Sequence, residues 1–273
     1  MREAAYGKAV RLCLRSIEGG YDLNPALVAE EGLPFDATQS LRRQMYSRHI
    51  RRIDWRCKQR TDEFLAYYRR GERILDIARR PGVSYSPYLL ARVLVGVLEP
   101  ETPVAELMRS PDQIIDSRLR GEVLLCLEED RDYSPFINKA RRTLGSEYEF
   151  ILQQKLRARE VGFESESDLR EKGAYKTPDI LLQVPIGVLG PDDQWRLVSW
   201  IDSKAMFGDE ETFSQEHQSQ LLGYVNRYGP GLVIYWFGFV ETLLSPSYRD
   251  FLEDVMVSSD FPSPLLLPDG QLR

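Results

Sequence analysis

The hydrophobic pattern changes period near Leu144. Before that point apolar residues recur at intervals of three and four, the repeat of a helix with one buried face. After it they gather in blocks that suit strands. A chain with helical signals first and strand signals second is expected to form an all-α domain followed by an α/β domain. We place the boundary at 137/138, giving a helical domain over 1–137 and an α/β domain over 138–273. A length of 273 residues is enough for two domains of ordinary size.

In the first half, Asn24-Pro25, Ser86-Pro87, Ser110-Pro111 and Ser134-Pro135 each pair a capping side chain with a proline suited to the first helical position. They predict a string of short helices. Two stretches have the layout of a helix-turn-helix, a short helix, a glycine-containing turn and a longer helix. These are ALVAEEGLPFDATQSLRRQMYSRHIRR from Ala26 and RILDIARRPGVSYSPYLLARVLVGVL from Arg73. In a nucleic-acid reader the start of the second helix makes the contacts. That nominates Gln39, Arg42 and Arg43 in the first unit, and Tyr85, Tyr88 and Arg92 in the second. Residues 42–60 hold Arg42, Arg43, Arg48, Arg51, Arg52, Arg56, Lys58 and Arg60 against Asp54 alone. This is either a nucleic-acid surface or a solvated helix face. The net charge of −6 does not decide between them, because binding depends on the local field.

The second half reads as a helix over 146–161, with Leu152 and Leu156 on one face and Gly162 ending it. Strands are expected over 179–188 and 195–204. A helical stretch over 213–228 stops at Gly229-Pro230-Gly231, and a buried strand follows over 232–240. The tail from Ser245 onward is expected to be irregular and peripheral. Its aromatic neighbours Tyr235, Trp236, Phe237 and Phe239 read as core.

The chemistry gathers on the two predicted strands. Alternation along Trp200-Ile201-Asp202-Ser203-Lys204 puts Asp202 and Lys204 on one face, about 7 Å apart. Ser203 points the other way, with its carbonyl still placed to join a metal shell. Asp179 begins the preceding strand, directly after Pro178. If the strands pair, Asp179 and Asp202 converge, and carboxylates so placed suit Mg²⁺ bound for phosphodiester hydrolysis. Lys204 then stands at the phosphate or the attacking water. Asp209 and Glu210 lie at most at the rim of such a site. With only His49 and His217, a histidine zinc site is not expected. Cys13, Cys57 and Cys126 form neither a zinc spacing nor a disulfide framework, which suits a reducing compartment. No apolar run is long enough to span a membrane, and the N-terminus lacks a secretory layout.

Thr177-Pro178-Asp179 followed by Asp202-Ser203-Lys204 resembles the PD-(D/E)xK signature. Gly145-Ser146-Glu147-Tyr148-Glu149 resembles the G-x-x-x-E helix motif of RecB-like nucleases, and Gln220-Leu221-Leu222-Gly223-Tyr224 their Q-x-x-x-Y motif. KTPDILLQVPIGV, WIDSKAMFGDE and NRYGPGLVIYWFGF narrow the resemblance to the TPD-type branch of the restriction-endonuclease-like superfamily, most closely over 144–240. Animal members of that branch carry Glu where this chain has Asp202, and the motif allows both. The resemblance implies a restriction-endonuclease-like C-terminal domain, a central mixed sheet flanked by helices. It also implies a nuclease that uses Mg²⁺ or Mn²⁺ on DNA rather than RNA, a codanin-like protein partner, and a nuclear or cytoplasmic location. Glu149 becomes a metal ligand, direct or through water, because it shares the inward face of Leu152 and Leu156; Glu147 is the alternative. Gln220 either holds substrate or orients Lys204. Tyr224, one helical turn on, either packs beside it or contacts nucleic acid. His217 has no metal-like spacing. The competing class is a catalytically silent nucleic-acid-binding or adaptor protein that keeps the nuclease fold.

Overall fold

Proline and the residue before it set where four of the helical segments begin. In this computed structural model, which describes residues 1–80, 85–245, 248 and 253–273, all four nominated pairs start a helical turn. The helices of the first half are α1 (Glu3–Gly19), α2 (Pro25–Glu30), α3 (Phe35–Gln59), α4 (Thr61–Arg69), α5 (Ile74–Ala78), α6 (Pro87–Leu98), α7 (Val104–Leu107), α8 (Ser117–Glu129) and α9 (Pro135–Arg157). Ser110-Pro111 opens only a 3-10 turn, Pro111–Gln113, with no side-chain cap. At α6 the Ser86 hydroxyl accepts from Leu89 N at 3.1 Å. The turn proposed inside the second helix-turn-helix stretch, with Gly82, lies outside the described residues. Among the described residues no helix is long and apolar enough to cross a membrane.

The chain divides into two compact units, each discontinuous in sequence. One comprises Met1–Arg11, Pro25–Leu41 and Thr143–Arg273, the other Leu12–Asn24 and Arg42–Arg142. Position 137/138 falls inside α9.

The second of these units is a helical core built on Phe64, Ile74, Ile77, Leu90 and Leu94. Two buried carboxylates inside it are matched. Glu122 on α8 accepts from Ile74 N at 2.5 Å and from Arg118 Nε at 3.1 Å, so it caps α5 from outside. Asp130 accepts from Tyr88 N and Tyr133 N, and from the Ser86 hydroxyl.

The same packing corrects one expectation. Arg42, nominated for nucleic acid, is 3% exposed. Its Nε donates to Ser16 Oγ at 2.6 Å, one terminal nitrogen pairs with Asp132 at 2.7 Å, and the other donates to Tyr21 O at 3.2 Å. A guanidinium whose three nitrogens are all engaged in the interior is a strut, not a groove contact. Gln39, Arg43, Tyr85, Tyr88 and Arg92 are half-buried. Tyr88 packs on the helical core, with the Arg92 guanidinium 5.9 Å from its ring centre.

The first unit carries a mixed sheet of β1 (Phe163–Ser165), β2 (Ile180–Leu189), β3 (Trp195–Lys204), β4 (Gly231–Tyr235), β5 (Val255–Ser258) and β6 (Leu265–Leu266). The order is β1-β2-β3-β4-β5, with β6 also on β2. β1, β3 and β6 run antiparallel to β2, whereas β3, β4 and β5 are mutually parallel. The parallel step from β3 to β4 needs a crossover, which is supplied by α11 (Glu210–Thr212), a π turn (Phe213–His217) and α12 (Gln218–Tyr228). A further short helix, α10 (Glu166–Glu171), follows β1. Leu152 and Leu156 of α9 pack into the apolar cluster that holds Ile180, Ile201, Leu232 and Ile234.

Two strand expectations hold closely, and three local ones do not. The β2–β3 register jumps between Leu181 and Ile186, where Pro185 cannot donate to the ladder. The last strand ends at Tyr235 rather than 240, because Gly238 turns the chain at φ 84 with its N–H bonded to Tyr235 O at 2.8 Å. α9 begins at Pro135, and its end is closed by Glu160 at φ 55 rather than by Gly162. The tail is not peripheral, since Val255–Ser258 forms β5 and Leu265–Leu266 forms β6. Gly231 fits its place by size alone, because a Cβ there would fall 2.0 Å from the Trp200 indole.

Arg42→Ala strands the half-buried Asp132 carboxylate. We expect a loss of stability on the order of 3 kcal/mol in urea unfolding. An unchanged midpoint would show that the three contacts are not what holds this unit together.

Candidate active site

The strand register builds the site before any side chain is considered. Ile180 pairs with Ile201, which sets Asp179 beside the 202–203 step of β3. Ser203 N donates to Asp179 Oδ2 at 2.7 Å. One backbone amide thus fixes the first carboxylate against the strand that carries the second. Asp202 is 1% exposed. Lys204 Nζ lies 2.6 Å from Asp202 Oδ2, on the same side of the strand, as alternation requires. That oxygen has no well-directed hydrogen-bond donor even so, which leaves acceptor capacity in a buried place.

Electrostatics follows from this crowding. Burial pushes the Asp179 carboxyl well above the usual carboxylate range, and the neighbouring Asp202 charge adds to it. Burial alone would pull Lys204 down. The charges of Asp202, Asp179 and Glu149 outweigh it, so the group is raised and stays an ammonium. Glu149, half-buried on α9, is raised by burial, then by Glu166 and Asp202. Glu147 is exposed.

The helix after β3 supplies the next layer. Gln220 Oε1 accepts from Lys204 Nζ at 3.2 Å, and its Nε2 donates to Tyr224 Oη at 2.7 Å. Tyr224 in turn donates to Thr177 O at 2.9 Å. Of the two roles open to Gln220, orienting Lys204 is the one present. Tyr224 is 2% exposed and edge-on to Trp200, so it cannot contact nucleic acid and acts as a tether. Ser203 turns its hydroxyl away, accepting from Trp236 Nε1 at 2.8 Å. Asp209 is no rim charge; it caps α11, accepting from Thr212 N at 2.6 Å. His217 is buried against the Tyr235 hydroxyl at 2.7 Å.

Sequence patterns missed Glu166. Its backbone N donates to Asp179 O at 3.0 Å, and its carboxylate accepts from Thr177 Oγ1 at 3.5 Å and from Arg170 at 2.7 Å. The available signal was Ser165-Glu166-Ser167-Asp168, a reciprocal capping box that starts α10. The Thr177-Pro178-Asp179 turn is therefore held from two sides, by Glu166 and by Tyr224.

Carboxylate oxygens are the donors that hard divalent cations prefer. Asp179 and Asp202, the latter with its unsaturated Oδ2, fit such an ion in donor type. Among the described residues, however, no three His, Cys, Asp or Glu side chains stand together as a ready cage. Lys204 is the cation already beside Asp202.

Fold and site together define an α/β protein with a buried carboxylate–lysine cluster at adjoining strands of a mixed sheet. Residues 115–260 match a family described as a protein of unknown function with a TPD sequence motif, and the chain belongs to it. It is 36% identical over 219 residues to CDAN1-interacting nuclease 1 of Homo sapiens, covering 73% of this chain and 75% of that protein. The protein of the same name from Mus musculus is 34% identical over 242 residues, 82% of each chain, and that from Danio rerio is 39% identical over 178 residues, 62% of this chain and 57% of that one. No solved structure matches.

Tyr224→Phe removes both hydroxyl bonds and leaves Thr177 O without that donor. It should lower stability by about 1–2 kcal/mol in chemical unfolding. A variant as stable as the parent would mean that this hydroxyl does not tether the turn.

Proposed function

We propose that the chain is a divalent-metal-dependent nuclease of restriction-endonuclease-like fold that hydrolyses phosphodiester bonds, in DNA rather than RNA. The observation that carries this is the Asp179–Asp202–Lys204 cluster, in which two carboxylates and an ammonium meet across one strand pair. Relatives of the chain bear the name nuclease, which agrees. Asp179 and Asp202 would hold Mg²⁺ or Mn²⁺, with Glu149 reaching it directly or through water and the Ser203 carbonyl completing the shell. Such an ion offsets charge on the phosphate and activates water.

The chain's own groups do the rest. Lys204, kept protonated by its acidic neighbours, offers positive charge and three donors to a phosphate oxygen or to the attacking water. Gln220 steers that ammonium from outside. Ser203 N–H holds Asp179 in register, and Tyr224 with Glu166 fixes the turn that delivers it. Each contact lowers the reorganisation needed when substrate arrives.

A second reading has an observation of its own. No three-acid group is assembled among the described residues, as suits an adaptor that keeps the fold without turnover. The relatives' name also points to a CDAN1-like protein partner for this chain under either reading.

One set of variants separates the two. Asp202→Asn should lose both Mn²⁺ binding in calorimetry and cleavage of labelled single-stranded, duplex and flapped oligonucleotides. Lys204→Met should still bind Mn²⁺, since it removes the competitor for Asp202, yet cut at least about a hundredfold more slowly. Chelation should stop the parent protein. Equal cutting by the parent and both variants would show that the cluster is not the active site, and a parent that binds no divalent ion would favour the adaptor.

A further inference from the structure

The C-terminal half of α3 has a face that the site does not use. Ile50 and Cys57 are fully buried in the helical core, so the opposite side of the helix is turned outward. Arg51, Arg52, Trp55, Arg56, Lys58 and Gln59 are all exposed, and their three- and four-residue spacings put them on that one side. Trp55 is 53% exposed, an unusual position for the largest aromatic side chain. The Arg56 guanidinium stands 5.4 Å from its ring centre. Asp54, half-buried, pairs with Lys58 and is the only acid in residues 42–60. His49 on the same helix is held below its usual range chiefly by burial, then by Arg52, with Glu18 opposing and Arg56 adding a smaller push.

A protruding indole set among cations is the surface that single-stranded nucleic acid requires. Arginines and lysines follow the phosphates, and an aromatic face stacks on an unpaired base whatever its identity. Arg42, the eighth residue of this helix, is engaged in internal contacts, and the exposed basic residues lie two turns and more further along.

We propose that this face of α3 binds single-stranded nucleic acid, with Trp55 stacking on a base and Arg52, Arg56 and Lys58 on the flanking phosphates. The proposal rests on the nuclease reading for its choice of ligand and gives that reading a substrate class, strands with unpaired nucleotides.

The test uses the full chain and fluorescein-labelled single-stranded and duplex oligonucleotides, read by anisotropy over a salt series without divalent metal. Trp55→Ala should weaken single-strand binding about five- to a hundredfold with the salt slope unchanged, and Trp55→Phe should restore most of it. Arg56→Glu should weaken binding and also reduce the slope of log affinity against log salt by about 0.7 for each phosphate that is no longer neutralised. Circular dichroism of each variant confirms that the helices persist. Variants that bind as the parent does would overturn the proposal while leaving Asp202-dependent cleavage, and so the nuclease reading, intact. A parent that cleaves but prefers duplex and ignores Trp55→Ala would overturn it too. A parent that binds no oligonucleotide at low salt would overturn it and point this face to an acidic protein partner.

Discussion

A carboxylate that is 1% exposed is tolerable only beside a cation, and in this chain Asp202 meets that condition with Lys204 at 2.6 Å. The pair sits on β3, the strand that borders β2 on one side and β4 on the other, so it cannot move without disturbing both ladders. The surrounding structure secures it. Ser203 N–H brings Asp179 alongside, Gln220 meets the ammonium from α12, and Trp200, two residues before Asp202, lies across Gly231 and binds Gly229 O at 2.8 Å.

This concentration of like charge works against folding. Asp179 and Glu149 are both raised, which means that the native structure holds their charged forms at a disadvantage. A domain needing only stability would carry apolar residues at these positions. Unfavourable carboxylates gathered around one lysine are a common mark of a working site. This cluster is the feature on which the proposed nuclease reading rests.

The helical unit shows how the same residue type serves opposite ends. Arg42 and Arg56 stand on one helix, fourteen positions apart. The first is locked to Ser16, Tyr21 and Asp132, while the second lies over an exposed indole. Charge patterning registers both as basic residues and cannot tell the buried strut from the outward cation, because that depends on which face of α3 the other helices cover.

Sequence by itself determined what local rules govern. Serine or asparagine before proline marked four helical starts, and strand alternation placed Asp202 and Lys204 on one side of β3. The order of Thr177-Pro178-Asp179 and Asp202-Ser203-Lys204 pointed to the two strands that bring Asp179, Asp202 and Lys204 together. Only tertiary structure decided the matters that depend on distant partners. The tail reads as irregular because β5 and β6 are short strands with little pattern of their own, and they exist through pairing with β4 and β2. Glu166 came beside Asp179 because β1 pairs with the start of β2, directly after Asp179, and Tyr224 became a tether because α12 crosses back to the Thr177 turn. Spacing along a chain fixes which side a residue faces, whereas its neighbours on that side come from segments far off in sequence.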